Sequence, residues 1–343
     1  MLRRTKSVIG LDLGSQAFKA IELTIDGTEP TVTGFAKVEL GPETDRAEAL
    51  GELLGKGSFH TKKVATSMAG QSVVVRYIPM VEMEADELKQ AISFESDKYI
   101  PFEADDAILD CQRLKNHTAA EGEASGQMSV VLVACQKQVL HNQLDGVVAH
   151  GLDPVAVDVD VFALGASYDL SNAAGESGED VAIALVDIGA TRTQINVMRG
   201  GETCFSREIG MGGSDMTKAT ARRLGIETAE AEAIKRDAGD REVEVGRAIA
   251  PVIEDLVSEL SLSLDFVENR EGVRVEEVLL SGGAIMAPGL VQALEQGTGR
   301  PARLWNPLDG LRISESGIDL DELEAAASTL AVAVGLASRA KKR

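Results

Sequence analysis

The sequence predicts an α/β protein with two related lobes that face a shared cleft. The main support is a repeat, because the stretch 9–19 reads almost as a copy of the stretch 185–193. Each is an apolar strand that ends in Asp-x-Gly and leads into a second strand, the pattern of a β-hairpin with a glycine turn. Asp187 follows Asp12 by 175 residues, a spacing close to the length of one domain. Each lobe is therefore expected to contribute one hairpin.

A third glycine element points to the same cleft. The stretch 278–290 reads as a buried strand, a Gly282-Gly283 turn and a helix that starts near Pro288. Glycine turns let backbone N–H groups approach an anion, an adjacent aspartate can hold hydrated Mg²⁺, and paired glycines let the backbone lie against a nucleobase. A single Asp-x-Gly turn is as readily a purely conformational choice. The three sites together predict a triphosphate clamp.

Composition indicates a globular protein with large cores. The chain has 343 residues, 44% of them hydrophobic, and a formal net charge of −21. Such a charge repels nucleic acid and anionic lipid, so we expect neither nucleic-acid binding nor direct membrane insertion. Three cysteines without CxxC spacing and a basic start without an apolar core favour a cytoplasmic protein with reduced thiols.

The C-terminal region raises the question of a membrane contact. The apolar stretch 325–338 is shorter than the roughly 20 residues that span a bilayer, so a packed helix is predicted. The basic end 339–343 is interpreted as a solvated helix terminus that suits the helix dipole. Contact of this end with lipid headgroups is the alternative.

The first half of the chain predicts a strand-rich lobe with an insert. A helix is expected around 47–54 and a short strand at 73–78, within the first lobe. The insert is predicted as αββα over residues 79–151. Its elements are a helix over 84–99 that Pro101 stops, strands over 107–114 and 129–135 around a polar loop at 116–127, and a helix over 138–150.

The second half begins after a Gly/Ser/Glu linker at 171–180, which is interpreted as the hinge region. Helices are predicted from Ser214, as N-cap, to Leu224 and over 229–236. A core-facing helix follows with apolar residues from Ile249 to Val267, then a strand at 302–305 and a C-terminal helix over 321–338. The predicted division is 1–78, 152–178 and 321–343 for the first lobe, 79–151 for the insert, 179–212 and 273–320 for the second lobe, and 213–272 for a helical subdomain.

This set of motifs resembles the actin-like ATPase superfamily, whose fold is a duplicated, ribonuclease H-like pair of lobes. Within it the chain is similar over nearly its whole length to the PilM family of type IV pilus assembly proteins, relatives of the cell-division protein FtsA. An αββα insert in the first lobe resembles the placement in these families. Further matching segments are Glu95-x-x-Lys98-Tyr-Ile-Pro101-Phe102, Val157-Asp158-Val-Asp160, Gly212-Gly213, Ala231-Glu232-x-x-Lys235 and Trp305-Asn306-Pro307.

The resemblance implies ATP and Mg²⁺ as cofactors. Because phosphoryl transfer depends mainly on positioning and charge neutralisation, a chain can keep the Mg-ATP clamp and still hydrolyse ATP poorly. We therefore expect tight ATP binding and slow or undetectable turnover. Asp160 is the candidate general base. Glu232 and Lys235 are expected on the ribose and adenine side, or else form a plain i,i+3 surface ion pair. The other implied roles are Asp12 and Asp187 at the metal, Gly14, Ser15, Gln16, Lys19, Gly189, Ala190 and Thr191 around the phosphates, and Gly282, Gly283 and Met286 along the base.

The resemblance also implies an adaptor at the inner face of the inner membrane. Its partners would be the cytoplasmic N-terminal peptide of a PilN-like membrane protein and other pilus assembly proteins. The peptide groove is expected on the first lobe near the insert, and the acidic chain favours a basic peptide. Tyr99, Ile100, Pro101 and Phe102 are predicted to line this groove, with ordinary core packing at a helix end as the alternative.

Three other functions remain open at this point. They are an FtsA-like or actin-like filament, an adaptor of type II secretion, and a small-molecule kinase of the same fold. The kinase would need a catalytic aspartate beside a sugar pocket, for which Asp158 and Asp160 are the candidates.

Overall fold

The computed structural model describes residues 6–26, 29–114, 127–171 and 181–340. In these ranges the strands form sheets of six, five and three strands. The strands are β1 (Lys6–Leu13), β2 (Ala17–Asp26), β3 (Glu29–Glu39), β4 (Lys63–Met68), β5 (Val73–Val81), β6 (Ala107–Arg113), β7 (Gln127–Gln136), β8 (Asp153–Val159), β9 (Ala182–Ile188), β10 (Thr193–Arg199), β11 (Glu202–Ile209), β12 (Val275–Ser281), β13 (Ala302–Leu304) and β14 (Arg312–Ile313).

The two large sheets share one topology. The strand orders are β14-β3-β2-β1-β4-β8 and β11-β10-β9-β12-β13. In each, three antiparallel strands built on the hairpin are followed by two parallel ones. The predicted duplication is therefore confirmed, and the first sheet carries β14 as an addition at its edge. The match extends to register, because Asp12 lies opposite Lys19 and Asp187 lies opposite Gln194.

The helices cover the sheets and join the lobes. Helices α4 and α10 lie between the two large sheets, where α10 packs on β1 and α4 packs on β10. The helices are α1 (Arg46–Lys56), α2 (Ala85–Glu95), α3 (Lys137–Ala149), α4 (Asp160–Tyr168), α5 (Gly213–Leu224), α6 (Thr228–Arg236), α7 (Glu242–Glu271), α8 (Leu290–Thr298), α9 (Leu320–Ala326) and α10 (Ala331–Ala337).

The long helix α7 follows the predicted periodicity. Its apolar residues at three- and four-residue steps, from Ile249 to Val267, are buried in the core of the second lobe. Helix α8 starts at Leu290 after Gly289, two residues beyond the predicted start near Pro288.

The insert contains one more strand than the sequence predicted. Strand β5 pairs antiparallel with β7 over its whole length, and β6 pairs with the other side of β7. The run at 73–78, assigned to the first lobe, thus belongs to the sheet of the insert, and the boundary predicted at residue 79 falls inside β5. Strand pairing between residues far apart decides this, which local patterns do not reveal.

The two predicted helices of the insert differ in what they cover. Helix α2 buries Leu88 and Ile92 against one face of the insert sheet. Helix α3 instead packs on β7 and β8, and its Val147 lies in the core of the first lobe. Most of the predicted loop at 116–127 lies outside the described residues.

Helix α5 begins earlier than predicted. Gly212, not Ser214, is the N-cap, and the carboxylate of Asp215 accepts a hydrogen bond of 3.1 Å from the Gly212 N–H. The N–H groups of Gly213 and Ser214 donate to the carbonyls of Gly189 and Ala190, at 2.9 and 2.7 Å. These bonds fix the start of α5 directly on the second hairpin turn.

The C-terminal helix predicted over 321–338 is interrupted. A 3-10 turn (Ala327–Thr329) separates α9 from α10. The freed carbonyls have tertiary partners: that of Ser328 accepts from the Gly282 N–H at 2.8 Å, and that of Thr329 accepts from Lys19 Nζ at 3.1 Å. Tertiary hydrogen bonds thus replace helical ones at this break.

The chain terminus also differs from the sequence expectation. Arg339 forms an ion pair with Asp158 on β8, and burial lowers the pKa of its guanidinium. This residue is therefore held inside the protein and is not a solvated helix end. Lys341, Lys342 and Arg343, and nearly all of the predicted hinge linker, lie outside the described residues. Within the described part of the chain, no helix is both long and apolar enough to cross a bilayer.

Candidate functional site

The two hairpin turns face each other across the lobes. The hydroxyls of Ser15 and Thr191 lie 3.3 Å apart, and both side chains are exposed at the tips of their turns. Gln16 is also exposed beside Ser15, while its carbonyl accepts the Leu40 N–H at 2.8 Å. The structure thus brings the predicted turn residues of both lobes to one place.

Behind the turns lies a group that we call the carboxylate cluster: Asp12, Asp160 and Asp187 with Lys19. Lys19 Nζ is 2.6 Å from an oxygen of Asp12, and Ser281 donates a 2.8 Å hydrogen bond to Asp187. Asp160, the first residue of α4, accepts a hydrogen bond from Ser67. The predicted metal and catalytic aspartates therefore converge in space.

Burial perturbs the titration of this cluster. Burial and the nearby charge of Asp12 raise the pKa of Asp160 to about 7. Burial also raises the pKa of Asp187, although Lys19 and Ser281 oppose the shift. Burial alone would lower the pKa of Lys19, but Asp12 and the other two carboxylates outweigh it, so this pKa lies above its usual value. Three acidic groups thus share one ammonium in a buried place, an arrangement that an additional cation would stabilise.

The glycine turns approach their neighbours closely. At Gly14 a Cβ would lie 2.7 Å from the Ala17 carbonyl oxygen. Gly282 has φ +103°, and a Cβ there would lie 2.7 Å from the backbone nitrogen of Ile188. Only glycine fits such a position. A Cβ at Gly283, in contrast, would meet nothing within 4 Å, so this backbone has open space on one side.

The other predicted binding residues lie around these turns. The N–H of Gly189 donates to the Arg192 carbonyl at 2.9 Å, which closes the second turn, and Ala190 accepts from the start of α5. Met286 is 67% exposed on the segment after Gly283. None of these residues is enclosed in a core, so they are accessible to a ligand.

Glu232 and Lys235 belong to a partly buried network, in which Lys235 is buried and Glu232 is half-buried, rather than to the plain surface ion pair weighed as the alternative. Lys235 Nζ donates to Glu232 at 2.6 Å, to Thr217 at 2.9 Å and to the Gly213 carbonyl at 3.1 Å. Burial lowers the pKa of Lys235, although Glu232 opposes this. Burial alone would raise the pKa of Glu232, but its bonds from Lys235 and Thr217 lower it. The pair ties α6 to the first turn of α5, beside the second hairpin.

Sequence reasoning missed Arg46. Its guanidinium donates to the carbonyls of Leu13 and Gly14, at 3.1 and 3.2 Å, and lies 4.6 Å from the centroid of the Phe18 ring. It thus adds a second cation at the first hairpin turn. The only local signal was the position of Arg46 after Asp45, which caps α1 through the Ala47 and Glu48 N–H groups. Nothing in that pattern indicates a contact with residues 13 and 14.

The segment predicted to line the partner groove lies on the α2 side of the insert. Ile100 is buried in the insert core, and its role as a groove residue stays a prediction. Tyr99 and Phe102 are half-buried against the same core, and Pro101 is exposed. Core packing of apolar residues at a helix end accounts for these contacts.

The two aspartates considered for a kinase separate clearly. Asp160 belongs to the carboxylate cluster, whereas the carboxylate of Asp158 is engaged in an ion pair with Arg339. Within the described residues, no three His, Cys, Asp or Glu side chains converge in a geometry that would hold a metal ion on their own.

Comparison with known proteins assigns the fold. A solved PilM-PilN type IV pilus biogenesis complex superimposes with a TM-score of 0.83 and 27% identity, over 97% of this chain and 98% of that chain. The ethanolamine utilization protein EutJ from Carboxydothermus hydrogenoformans matches with a TM-score of 0.54 and 15% identity, over 98% of this chain and 90% of that one. The fold is therefore actin-like, as predicted.

Sequence comparison gives a shorter match and a family. Cell division protein FtsA of Bacillus subtilis (strain 168) is 32% identical over 108 residues, which is 32% of this chain and 23% of FtsA. The match thus spans less than a quarter of the length of FtsA. The profile of the family described as type IV pilus assembly protein PilM covers residues 10–341. The chain belongs to the type IV pilus assembly protein PilM family.

Proposed function

We propose that this protein is an ATP-binding adaptor of type IV pilus assembly that holds the cytoplasmic N-terminal peptide of a PilN-like inner-membrane protein. The observation that carries the nucleotide half is the convergence of both hairpin turns on the carboxylate cluster. The observation that supports the partner half is the likeness of the whole chain to PilM in a PilM-PilN complex.

The cluster suits a divalent cation with a polyphosphate. Mg²⁺ is usually held by one or two carboxylates together with phosphate oxygens and water, so the absence of a three-ligand protein site among the described residues is compatible with it. Asp12 and Asp187 would hold the ion, and backbone N–H groups of the two turns would face the phosphates. The Mg²⁺ of bound Mg-ATP would supply the positive charge that the cluster lacks, and the nucleotide would connect the two lobes.

The positions of the remaining residues support the roles that we propose for them. Lys19 and Arg46 supply positive charge at the first turn. The open backbone at Gly283, with Met286 beside it, offers a flat surface for the base, and the Glu232–Lys235 pair lies next to it through α5. Asp160, with its pKa near 7, would orient or deprotonate water. We propose slow turnover, with nucleotide acting mainly as a structural cofactor.

For the partner, we propose the face of the insert sheet opposite α2. Helix α2 covers one face, so the alternate residues of β7, including Val131 and Val133, lie on the other face and are half-buried. Ile108 of β6 is 39% exposed beside Cys135 on that face. Residues 79–114 contain ten acidic and three basic side chains, which suits a basic peptide. Tyr99, Ile100, Pro101 and Phe102, which lie on the α2 side of the insert, stay as the alternative location of the groove.

This proposal places the protein in the cytoplasm, at the inner face of the inner membrane, through its partner. Recruitment by a peptide fits the net charge of −21, because anionic lipid would repel the chain. Other pilus assembly proteins would then connect through the same complex.

The test is titration of the full-length protein with a fluorescent N-terminal peptide of the PilN-like partner, with and without Mg-ATP, together with phosphate release. We expect peptide binding and negligible phosphate release. The variant Ile108→Lys should weaken peptide binding about tenfold or more, since it places a cation on the proposed face. Phe94→Ser is the matched control, because Phe94 is 89% exposed on α2, which covers the opposite face.

Three outcomes would contradict the proposal. Absence of peptide binding together with ATP turnover that rises when a sugar is added would favour the kinase. Sedimentation of polymers with ATP, abolished by Asp12→Ala, would favour a filament-forming protein. Binding of a type II secretion peptide in place of the PilN-like peptide would reassign the adaptor.

A further inference from the structure

A carboxylate on the second lobe reaches the base of the insert. Glu208, near the end of β11, accepts a hydrogen bond of 2.9 Å from the backbone N–H of Gly70. The same carboxylate accepts from Gln194 at 2.8 Å and lies 3.4 Å from Arg192 Nε. Arg192 directly follows Thr191, a tip residue of the second hairpin turn. Glu208 therefore contacts both the turn and the first lobe.

The contact at Gly70 depends on the absence of a side chain. Gly70 has φ +80°, and a Cβ there would lie 2.6 Å from a terminal nitrogen of Arg192. The guanidinium of Arg192 thus occupies the space that any other residue at position 70 would fill. Gly70 opens a 3-10 turn (Gly70–Ser72) that leads directly into β5. A displacement of the second hairpin turn would therefore move Arg192 and Glu208 and change their contacts with Gly70 at the start of β5.

A second bridge lies further along the same strand. The hydroxyl of Tyr77 on β5 donates to Ser206 Oγ on β11 at 2.9 Å, and the guanidinium of Arg270 lies 6.0 Å from the Tyr77 ring centroid. Burial raises the pKa of Tyr77, so its hydroxyl stays protonated and able to donate. Ser206 and Glu208 are two residues apart, so they point to the same side of β11.

We propose that the Gly70–Glu208 and Tyr77–Ser206 bridges make β5 a coupling element, through which nucleotide at the second hairpin turn strengthens binding of the partner peptide to the insert. This inference rests on the proposed function and deepens it. A ligand that orders Thr191 and Arg192 also fixes Glu208, and two fixed points on β5 hold the insert sheet in one position. The sheet is then organised before the peptide arrives, which removes part of the ordering cost of binding.

Reciprocity gives the proposal a quantitative form. If ATP strengthens peptide binding by a given factor, the peptide must strengthen ATP binding by the same factor. Coupling between sites typically lies in the range of about 5- to 150-fold. We expect at least about fivefold in the wild-type protein.

The test compares four forms of the full-length chain: wild type, Tyr77→Phe, Glu208→Gln and the double variant. Tyr77→Phe removes only the hydroxyl, and Glu208→Gln keeps an acceptor while removing the charge that Arg192 faces. Glu259→Gln is the matched control, since Glu259 pairs with Arg207 of the same β11 at 2.6 Å but does not reach the insert. For each form, peptide affinity is measured with and without Mg-ATP, and ATP affinity with and without peptide.

The coupling factor, not either affinity alone, is the deciding quantity. In the double variant it should fall to within about twofold of unity, in both directions of the linkage, while ATP and peptide each still bind when added alone. The control should keep the wild-type factor. The inference would be overturned if the double variant kept the coupling factor of the wild type, or if the wild type itself had a coupling factor of one. Neither result would contradict the proposed adaptor function. A wild-type protein that binds neither ligand would instead overturn the proposed function, and this inference with it.

Discussion

The two hairpins of the repeat have the same register but different electrostatic surroundings. In the first, Asp12 lies opposite Lys19 and is paired with it at 2.6 Å. In the second, Asp187 lies opposite Gln194, whose side chain donates instead to Glu208, and the Asp187 carboxylate is held by Ser281. The two copies thus share the backbone arrangement, whereas only the first has a lysine opposite its aspartate.

The copies also differ two residues before each aspartate. Gly10 lies there in β1, where a Cβ would clash with the Ala333 carbonyl and lie 2.5 Å from the Ala337 nitrogen. The equivalent residue of β9 is Leu185, which is fully buried between the lobes. In the first lobe a helix backbone lies directly against the strand, whereas in the second a side chain fills that space. The first copy is therefore the less tolerant of added volume.

The largest expected effect tests this difference in packing. Gly10→Ala should destabilise the protein by at least about 4 kcal/mol, or prevent folding, because a backbone carbonyl cannot rotate away from the new methyl group. Urea unfolding followed by circular dichroism measures this. Gly146→Ala in α3, where a Cβ meets nothing within 4 Å, is the control and should be neutral or slightly stabilising. Equal stability of both variants would show that α10 can shift away from β1.

The second-largest effect is expected from a substitution that places glutamine opposite the aspartate of the first hairpin, as in the second hairpin. Lys19→Gln leaves the buried carboxylate of Asp12 and the half-buried carboxylates of Asp160 and Asp187 without an ammonium. We therefore expect a loss of about 3 kcal/mol in the free energy of unfolding measured in EDTA. Millimolar Mg²⁺ should restore part of this loss by binding only the folded state. Gln194→Lys, the reverse exchange in the second hairpin, should show no such rescue. A Lys19→Gln variant that is insensitive to Mg²⁺ would remove the electrostatic argument for a cation at the cluster.

A smaller effect concerns Asp160, whose pKa of about 7 in the folded state lies above its value in the unfolded chain. Folding therefore favours the protonated form, and its contribution to stability is lost as the pH rises from about 4 to about 7. Between pH 5 and pH 8 the wild type should lose about 2 kcal/mol more stability than Asp160→Asn, in EDTA. Parallel pH profiles of the two proteins would place the raised pKa elsewhere.

The smallest effect concerns the contact shared by both copies. Ser15→Ala and Thr191→Ala should each cost less than about 0.5 kcal/mol, because both hydroxyls are exposed at 3.3 Å from each other. The double variant should cost no more than either single variant, since each removes the same contact. Additive losses in this cycle would show that the two hydroxyls act on separate partners.

Local patterns sufficed for the repeat and for the amphipathic helix α7, because hairpin turns and helical periodicity are properties of neighbouring residues. They predicted that Asp12 and Asp187 face one cleft, and the family resemblance added Asp160. They misassigned β5, since its pairing with β7 joins residues more than 40 positions apart. Arg46 was missed for the same reason, as its acceptors lie more than 30 residues earlier in the chain.

The broken C-terminal helix is a further case. The run 321–338 has uninterrupted helical character in its sequence, yet the structure breaks it at 327–329. The break depends on donors from Gly282 and Lys19, which are supplied by other parts of the fold. Likewise, the burial of Ile100 follows from the insert core that surrounds it.

That break also sets an order of events during synthesis. Lys19 is synthesised 310 residues before Thr329, whose carbonyl it contacts. Helix α10, which packs against β1, also belongs to the last part of the described chain. Such long-range contacts form slowly. The face of β1 that α10 covers therefore stays exposed until α10 has been synthesised and has packed against it. The cleft can therefore be completed only after Thr329 and α10 have been synthesised.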